Sequence, residues 1–187
     1  MPSGESGWEP GQGGEPLDLD AWARQWDAFD RTAFRLETLP EYNVESERGL
    51  MELFLAGEPM PPAYNAEWHG SLREYRRSGK VVRRVRVVAN PLTDYQRRQF
   101  AWAYPGNVEA GEEIRVLDSH DPVTDVLPAQ DFWVFDDDSV VLLHYEGGVQ
   151  TGRELLTGAA VGEYLDYREL AVAHSVPFDQ YRNSLPG

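Results

Sequence analysis

Hydrophobic positions recur at two periods along this chain, and the points where one period gives way to the other divide it into elements. Leu19, Trp22, Trp26 and Phe29 fall at three- and four-residue spacing, with Asp18 or Asp20 available as an N-cap. That spacing predicts an amphipathic helix to about residue 31. Two indoles one turn apart on this stripe read as core anchors. Residues 33–38 (AFRLET) alternate large apolar and charged side chains, as a half-buried strand does, and Pro40 ends it. Helical spacing returns over 45–56, closed by Gly57. After the Pro-rich connection GEPMPPAYN it returns again over 65–78, closed by Gly79.

Residues 81–88 (VVRRVRVV) give the strongest strand signal, with five β-branched residues in eight. Thr93 stands three residues before Gln96, the spacing of a capping box. A helix is therefore predicted from there to about Tyr104, where Pro105 and Gly106 should break it. Residues 113–117 (EIRVL) form a second strand, and the order helix, strand, helix, strand over 65–117 makes the two strands parallel neighbours in a βαβ unit. Residues 131–135 and 140–145 flank the turn Asp136, Asp137, Asp138, Ser139 as an antiparallel hairpin. A last helix over 159–174 aligns Tyr164, Tyr167, Ala171 and His174. The expected fold is thus α/β: a mixed sheet with a central basic strand, a βαβ unit and an antiparallel hairpin in the C-terminal half, flanked by helices.

Composition adds boundaries to this picture. Residues 1–16 (MPSGESGWEPGQGGEP) hold too little apolar surface to offset chain entropy and are expected to be a disordered tail, with a single α/β domain over 17–187. With 41% hydrophobic residues and 6 Trp, the chain has the apolar mass for a core. Zero cysteines exclude disulfides, thiolate metal sites and a cysteine nucleophile. No apolar run reaches membrane-span length, and the N-terminus lacks the order of a signal peptide, so the expected location is the cytoplasm.

The net charge of -15 argues against direct binding to nucleic acid or membranes. It is unevenly spread. Residues 73–98 carry nine basic residues (Arg73, Arg76, Arg77, Lys80, Arg83, Arg84, Arg86, Arg97, Arg98) against two acids, a balance of +7, which leaves 8 basic and 30 acidic residues elsewhere. Strand alternation puts Arg84 and Arg86 on one sheet face, with Arg83, Val85 and Val87 on the other. Two arginines on a covered face need anionic partners. Either they pair internally, with Glu112, Glu113 or Asp131 as examples, or they form an anion site at the strand's C-terminal end, beside the free N–H groups of the Thr93 helix. The candidate ligand-binding residues are Arg84, Arg86, Asp94, Tyr95 and Arg115, the polar residues nearest the ends of the two parallel strands. Trp133 and Tyr145 are candidate pocket walls, and Arg35 and Glu37 share a strand face as a structural ion pair.

Other chemistry finds little support. The acidic run at Asp136 lacks the spacing of a calcium loop and reads as a solvated turn. His69, His120, His144 and His174 are isolated in sequence, and His144 alternates with Val140 and Leu142 as a packed residue. No GxSxG, P-loop or GxGxxG motif occurs. No metal, cofactor or catalytic residue is assigned.

Four blocks carry a resemblance: TAFRLETLPEY (32–42), RVRVVANPLTDYQR (84–97), NVEAGEEIRVL (107–117) and DFWVFDD (131–137) followed by His144 and Tyr145. Together they resemble a family of uncharacterised actinobacterial proteins, Streptomyces-type, known only as a domain of unknown function. The resemblance covers nearly everything after residue 20. It implies gene neighbourhoods containing helix-turn-helix regulators and so a regulatory or partner-binding role, and it brings no catalytic residue. A weaker fold likeness is to one half of a phospholipase D-like domain. With Asp136 on that motif's aspartate, Ala129 and Asp131 replace its histidine and lysine, so the catalytic positions would be lost.

The expected function is a non-catalytic regulatory or interaction protein that binds a basic partner such as a DNA-binding regulator, or senses a small anionic ligand. The alternative is a small enzyme acting on a phosphorylated or anionic metabolite. In it Arg84, Arg86 and Arg115 would hold the anion and Asp94, Glu112 or His144 would serve as acid or base.

Overall fold

The computed structural model describes residues 13–185 and shows an α/β fold built on one eight-stranded mixed sheet. The strands are β1 (Glu15–Pro16), β2 (Thr32–Glu37), β3 (Val81–Val88), β4 (Glu113–Asp118), β5 (Asp131–Phe135), β6 (Ser139–Glu146), β7 (Val149–Thr157) and β8 (Val176–Pro177). Their spatial order is β1-β7-β6-β5-β2-β3-β4-β8. β3 and β4 are parallel, as the βαβ pattern implies; β2 also runs parallel to β3, while β5 runs antiparallel to β2 and forms the expected hairpin with β6. The helices are α1 (Leu19–Ala28), α2 (Arg48–Leu55), α3 (Ala66–Arg77), α4 (Asp94–Arg98), α5 (Tyr104–Ala110), α6 (Val161–His174) and α7 (Phe178–Ser184).

Period-two alternation sorts the strands into two unlike faces. On one, Phe34, Leu36, Val85, Phe132, Val134 and Leu142 pack against Tyr164 and Ala171 of α6 in an apolar layer. On the other, Ala33, Val82, Trp133, Phe135 and Val141 meet Phe29, Trp22, Trp26 and Leu72 from α1, α3 and their connections. This second face also carries Arg35 and Glu37 of β2 and Arg84 and Arg86 of β3, as the register Arg35↔Arg84 and Glu37↔Arg86 requires.

The hairpin turn is held from outside rather than merely solvated. Asp136 and Asp137 adopt left-handed backbone at φ 52° and 67°. The Asp136 carboxylate accepts hydrogen bonds from the backbone N–H groups of Asp30, Arg31 and Thr32 at 2.6, 2.7 and 2.8 Å, which ties the start of β2 to the end of β5. Replacing Asp136 with Ala strands three N–H donors, and urea denaturation should show a loss of about 2–3 kcal/mol.

Four differences from the sequence reading have physical causes. Glu15 and Pro16, assigned to the tail, pair with Leu155 and Glu154 of β7; the rest of the tail up to residue 12 lies outside the described residues. β7 itself has no clean alternation. Its Glu154 is fully buried, accepting from the Gly14 N–H at 2.8 Å and lying 3.2 Å from His144 Nε2, and the β6–β7 register slips between His144 and Tyr145. Pro105 and Gly106 do not end their helix. Gln99–Ala103 forms a π turn, which restarts the helix so that Pro105 falls in the first turn of α5, where no N–H is needed. Gly106 then leaves room for the His69 ring, which a Cβ would meet at 2.7 Å. The helix expected to be the last, α6, begins at Val161 rather than 159, after a short 3₁₀ turn, and a further helix, α7, follows it.

Candidate functional site

β2 is where the sheet changes character, with the parallel strands on one side and the antiparallel hairpin on the other. Ligand clefts in α/β sheets form where connections diverge in this way, beyond the carboxyl ends of the strands. Here Arg35 and Glu37 stand at the C-terminal half of β2, and a cleft of about 570 Å³ opens above them. Tyr42 and the chain after it, α3, the π turn, and the β6–β7 turn enclose it. The Asn43 N–H donates to Gly148 O at 2.8 Å. Gly148 takes φ 80°, and a Cβ there would press on Asn43 N at 3.1 Å, so glycine is required for this closure.

The cleft floor is a network of buried charges. Cross-strand pairing sets Arg35 directly opposite Arg84, an arrangement that repels unless a carboxylate intervenes. Glu37 supplies it. Its Oε1 lies 3.1 Å from Arg35 Nη2 and accepts from Arg84 Nη1 at 2.7 Å, and its Oε2 lies 4.0 Å from Arg86 Nε. Arg84 also donates to Glu112 Oε1 at 2.8 Å. Glu112 in turn accepts from Asn107 Nδ2 at 2.8 Å and from Trp68 Nε1 at 3.4 Å. Because Asn107 spends its amide N–H on Glu112, its Oδ1 faces His69 Nε2 at 3.0 Å as an acceptor, which places a proton on that nitrogen. Asp131 accepts from the Thr38 N–H at 2.7 Å, from Thr38 Oγ1 at 2.9 Å and from the Tyr42 hydroxyl.

The walls are aromatic. Arg35 lies 5.5 Å over the Trp133 ring and 5.8 Å over Tyr42, and Tyr42 meets Tyr145 edge to face at 5.3 Å. Trp26 and Trp68, themselves in edge contact at 5.4 Å, close the opposite side.

Burial and neighbouring charge fix the charge states of Glu37 and the cleft tyrosines. Burial alone would raise the Glu37 carboxyl, but Arg35, Arg84 and Arg86 together hold it down at about 2. Burial pushes the hydroxyls of Tyr42, Tyr95 and Tyr104 well up, with Glu37 adding to the shift, and raises Tyr145 to about 12. These carboxylate and phenol groups therefore stay in one charge state across the neutral range.

Of the five residues proposed from sequence, three converge here. Arg84 lines the cleft. Tyr95 also lines it, donating to Glu47 Oε2 at 3.3 Å beneath the Arg98 guanidinium, which lies 5.0 Å from its ring centroid. Arg86 is fully buried just behind, 5.1 Å over the Tyr42 ring, donating from Nε to Gln99 Oε1 at 3.2 Å and from its terminal nitrogens to the Leu39 and Pro40 carbonyls. Two do not converge. Asp94 is exposed and paired with Arg97 one turn on. Arg115 is in register with Val85 and so points to the opposite face, where its Nε donates to Ser175 Oγ at 2.9 Å. That separation of Arg86 from Arg115 removes the anion clamp on which the enzymatic alternative depended. His144, an acid or base in that alternative, likewise sits away from the cleft beside Gln130 and Glu154.

Internal pairing accounts for most of the basic segment. Six of its nine cations, Arg77, Arg83, Arg84, Arg86, Arg97 and Arg98, are in ion pairs with carboxylates. Trp133 and Tyr145 do form cleft walls, and Arg35 and Glu37 are indeed paired. What sequence reasoning missed is that this pair, treated as structural, is the centre of the site. The available signal was an Arg and a Glu two residues apart on a strand otherwise apolar enough to be interior.

Among the described residues no group of His, Asp or Glu side chains is arranged to hold a metal ion, and no helix is long and apolar enough to cross a membrane. In the region likened to a phospholipase D motif, Asp131 and Asp136 are both committed to hydrogen bonds with β2 and its flanking residues. A search of curated proteins finds no match. The four sequence blocks, strands β2 to β8 and the cleft all lie within residues 20–183, the stretch matched by a family model, and the chain belongs to the family described as Domain of unknown function (DUF6879).

Proposed function

We propose that this protein is a non-catalytic regulatory domain of the cytoplasm that senses a small anionic ligand in the cleft above β2. The observation that carries this reading is the combination of fixed cations in the floor with carboxylate and phenol groups locked far from neutral titration. A general acid or base needs a pKa near working pH. Glu37, Tyr42 and Tyr104 instead hold constant charge, which suits recognition of a charged ligand rather than proton transfer.

A panel of small anions (inorganic phosphate, acetate, 2-naphthoate, adenosine monophosphate) tested by thermal shift and calorimetry should give at least one saturable ligand, recovered unchanged by mass spectrometry. No shift with any anion, or conversion of the bound compound, would overturn the reading.

Signal output would pass through a basic protein partner such as a DNA-binding regulator. The support for that partner is charge: each ion pair in the basic segment neutralises a cation and a carboxylate together, so the chain keeps its net charge of -15 while six of the nine cations that could repel a basic partner are paired.

A further inference from the structure

Four arginines, three of them buried and Arg35 partly exposed, lie in or beside the cleft, and they differ in what remains of their donors. Arg84 spends its donors on Glu37 and Glu112, and Arg86 on Gln99 and two carbonyls. Arg98 gives Nε to Met51 Sδ, Nη1 to Tyr64 and Nη2 to Glu47. Arg35 is different. Its contacts with Glu37, Asp131 and Tyr145 all run through Nη2, at 3.1, 3.6 and 3.5 Å; its Nε is buried with no acceptor, and its Nη1 makes no hydrogen bond with any described residue. The Arg35 side chain is 17% exposed, so it can be reached from the cleft, and a guanidinium that keeps a buried N–H without an acceptor is an uncommon expense unless an acceptor arrives from outside.

Three further observations narrow the acceptor. The Arg35 guanidinium lies over Trp133 and Tyr42, so a flat group paired to it in plane continues along aromatic surface. Trp26, Trp68 and Tyr145 complete a wall of rings around a volume large enough for a two-ring compound. Glu37, Glu45 and Glu47 also line the cleft, and with the other cations already neutralised they disfavour a second or third negative charge on the ligand.

Resting on the anion-sensing reading above, we infer that the ligand is a planar aromatic monocarboxylate, held by Arg35 and stacked among Trp133 and the neighbouring rings. A planar guanidinium matches a carboxylate in a way an ammonium does not.

Calorimetry with the full chain tests this using three probes: 2-naphthoate, its saturated counterpart decahydro-2-naphthoate, and inorganic phosphate. The expected result is that 2-naphthoate binds at least about tenfold tighter than either of the others, a difference equivalent to roughly 1.4 kcal/mol. Arg35→Gln should lose that binding by about tenfold or more, and Arg35→Lys, which keeps the charge and the fold, should recover only part of it. Equal binding of the saturated acid, or tighter binding of phosphate, overturns the aromatic monocarboxylate while leaving anion sensing intact. Unchanged affinity in Arg35→Lys and Arg35→Gln overturns the role of Arg35. Binding of no probe to the wild type overturns the aromatic monocarboxylate, and the wider anion panel then decides whether anion sensing falls with it.

Discussion

Replacing Glu37 with Ala should destabilise the protein by about 3–5 kcal/mol, the largest effect expected of any single substitution at the site. Glu37 is 2% exposed and is the carboxylate shared by Arg35, Arg84 and Arg86. Removing it takes away the carboxylate between Arg35 and Arg84, leaving Arg84 with Glu112, Arg35 with the more distant Asp131 and Arg86 with no carboxylate among the described residues, and a buried charge that loses its partner costs far more than a buried pair contributes. Glu37→Gln keeps an acceptor oxygen and should fall between the wild type and Ala. The same residue governs the acid limb of stability. Its carboxyl is held at about 2, below the ordinary 4.5, so its contribution is complete above about pH 4.5 and is lost as pH falls toward 2. Denaturant titrations at pH 7, 4.5 and 3 should show the wild type losing on the order of a few kcal/mol over that range, and Glu37→Gln losing distinctly less. A wild-type stability flat from pH 4.5 to 3 would contradict the charge network as described.

Trp26→Ala should cost about 3 kcal/mol and enlarge the cleft at the same time. The Trp26 ring contacts Trp133 at 4.8 Å, Phe135 at 5.3 Å, Trp68 at 5.4 Å and Phe29 at 5.8 Å, joining α1 to the sheet and to α3. Large-to-small replacement of a core aromatic removes transfer free energy and leaves a cavity, and the partial exposure of Trp26 keeps the cost at the low end of the usual range. Trp26→Phe retains most of the edge contacts and should cost less than half as much. Guanidinium unfolding of the two variants separates packing from overall fold loss, since only the Ala variant opens the cavity.

The sites of these two effects differ in how visible they are in the amino-acid order. Trp26 belongs to a helical stripe with Leu19, Trp22 and Phe29, and its anchoring duty follows from spacing alone. Glu37 follows from spacing only as far as a pair with Arg35. Its partnership with β3 depends on a parallel register between residues about fifty positions apart, and nothing local specifies that register.

What the sequence determined by itself was the set of strongly periodic elements: α1, β2, α3, β3, β4 and the β5–β6 hairpin all lie close to where alternation, β-branching and caps put them. Thr93 and Gln96 form the capping box their spacing implied. These features rest on interactions within a few residues, and a local pattern is enough to encode them. Tertiary structure decided the remainder. It extended a helix through Pro105 and Gly106 by inserting a π turn and seating His69 against the glycine, and it buried Glu154 in a strand whose alternation was thereby hidden. It also set Arg115 against Ser175 on the far face and gathered Arg35, Glu37, Arg84 and Tyr42 under one cleft. A buried charge reveals its role only through the partner that neutralises it, and the chain brings those partners together only when the sheet closes.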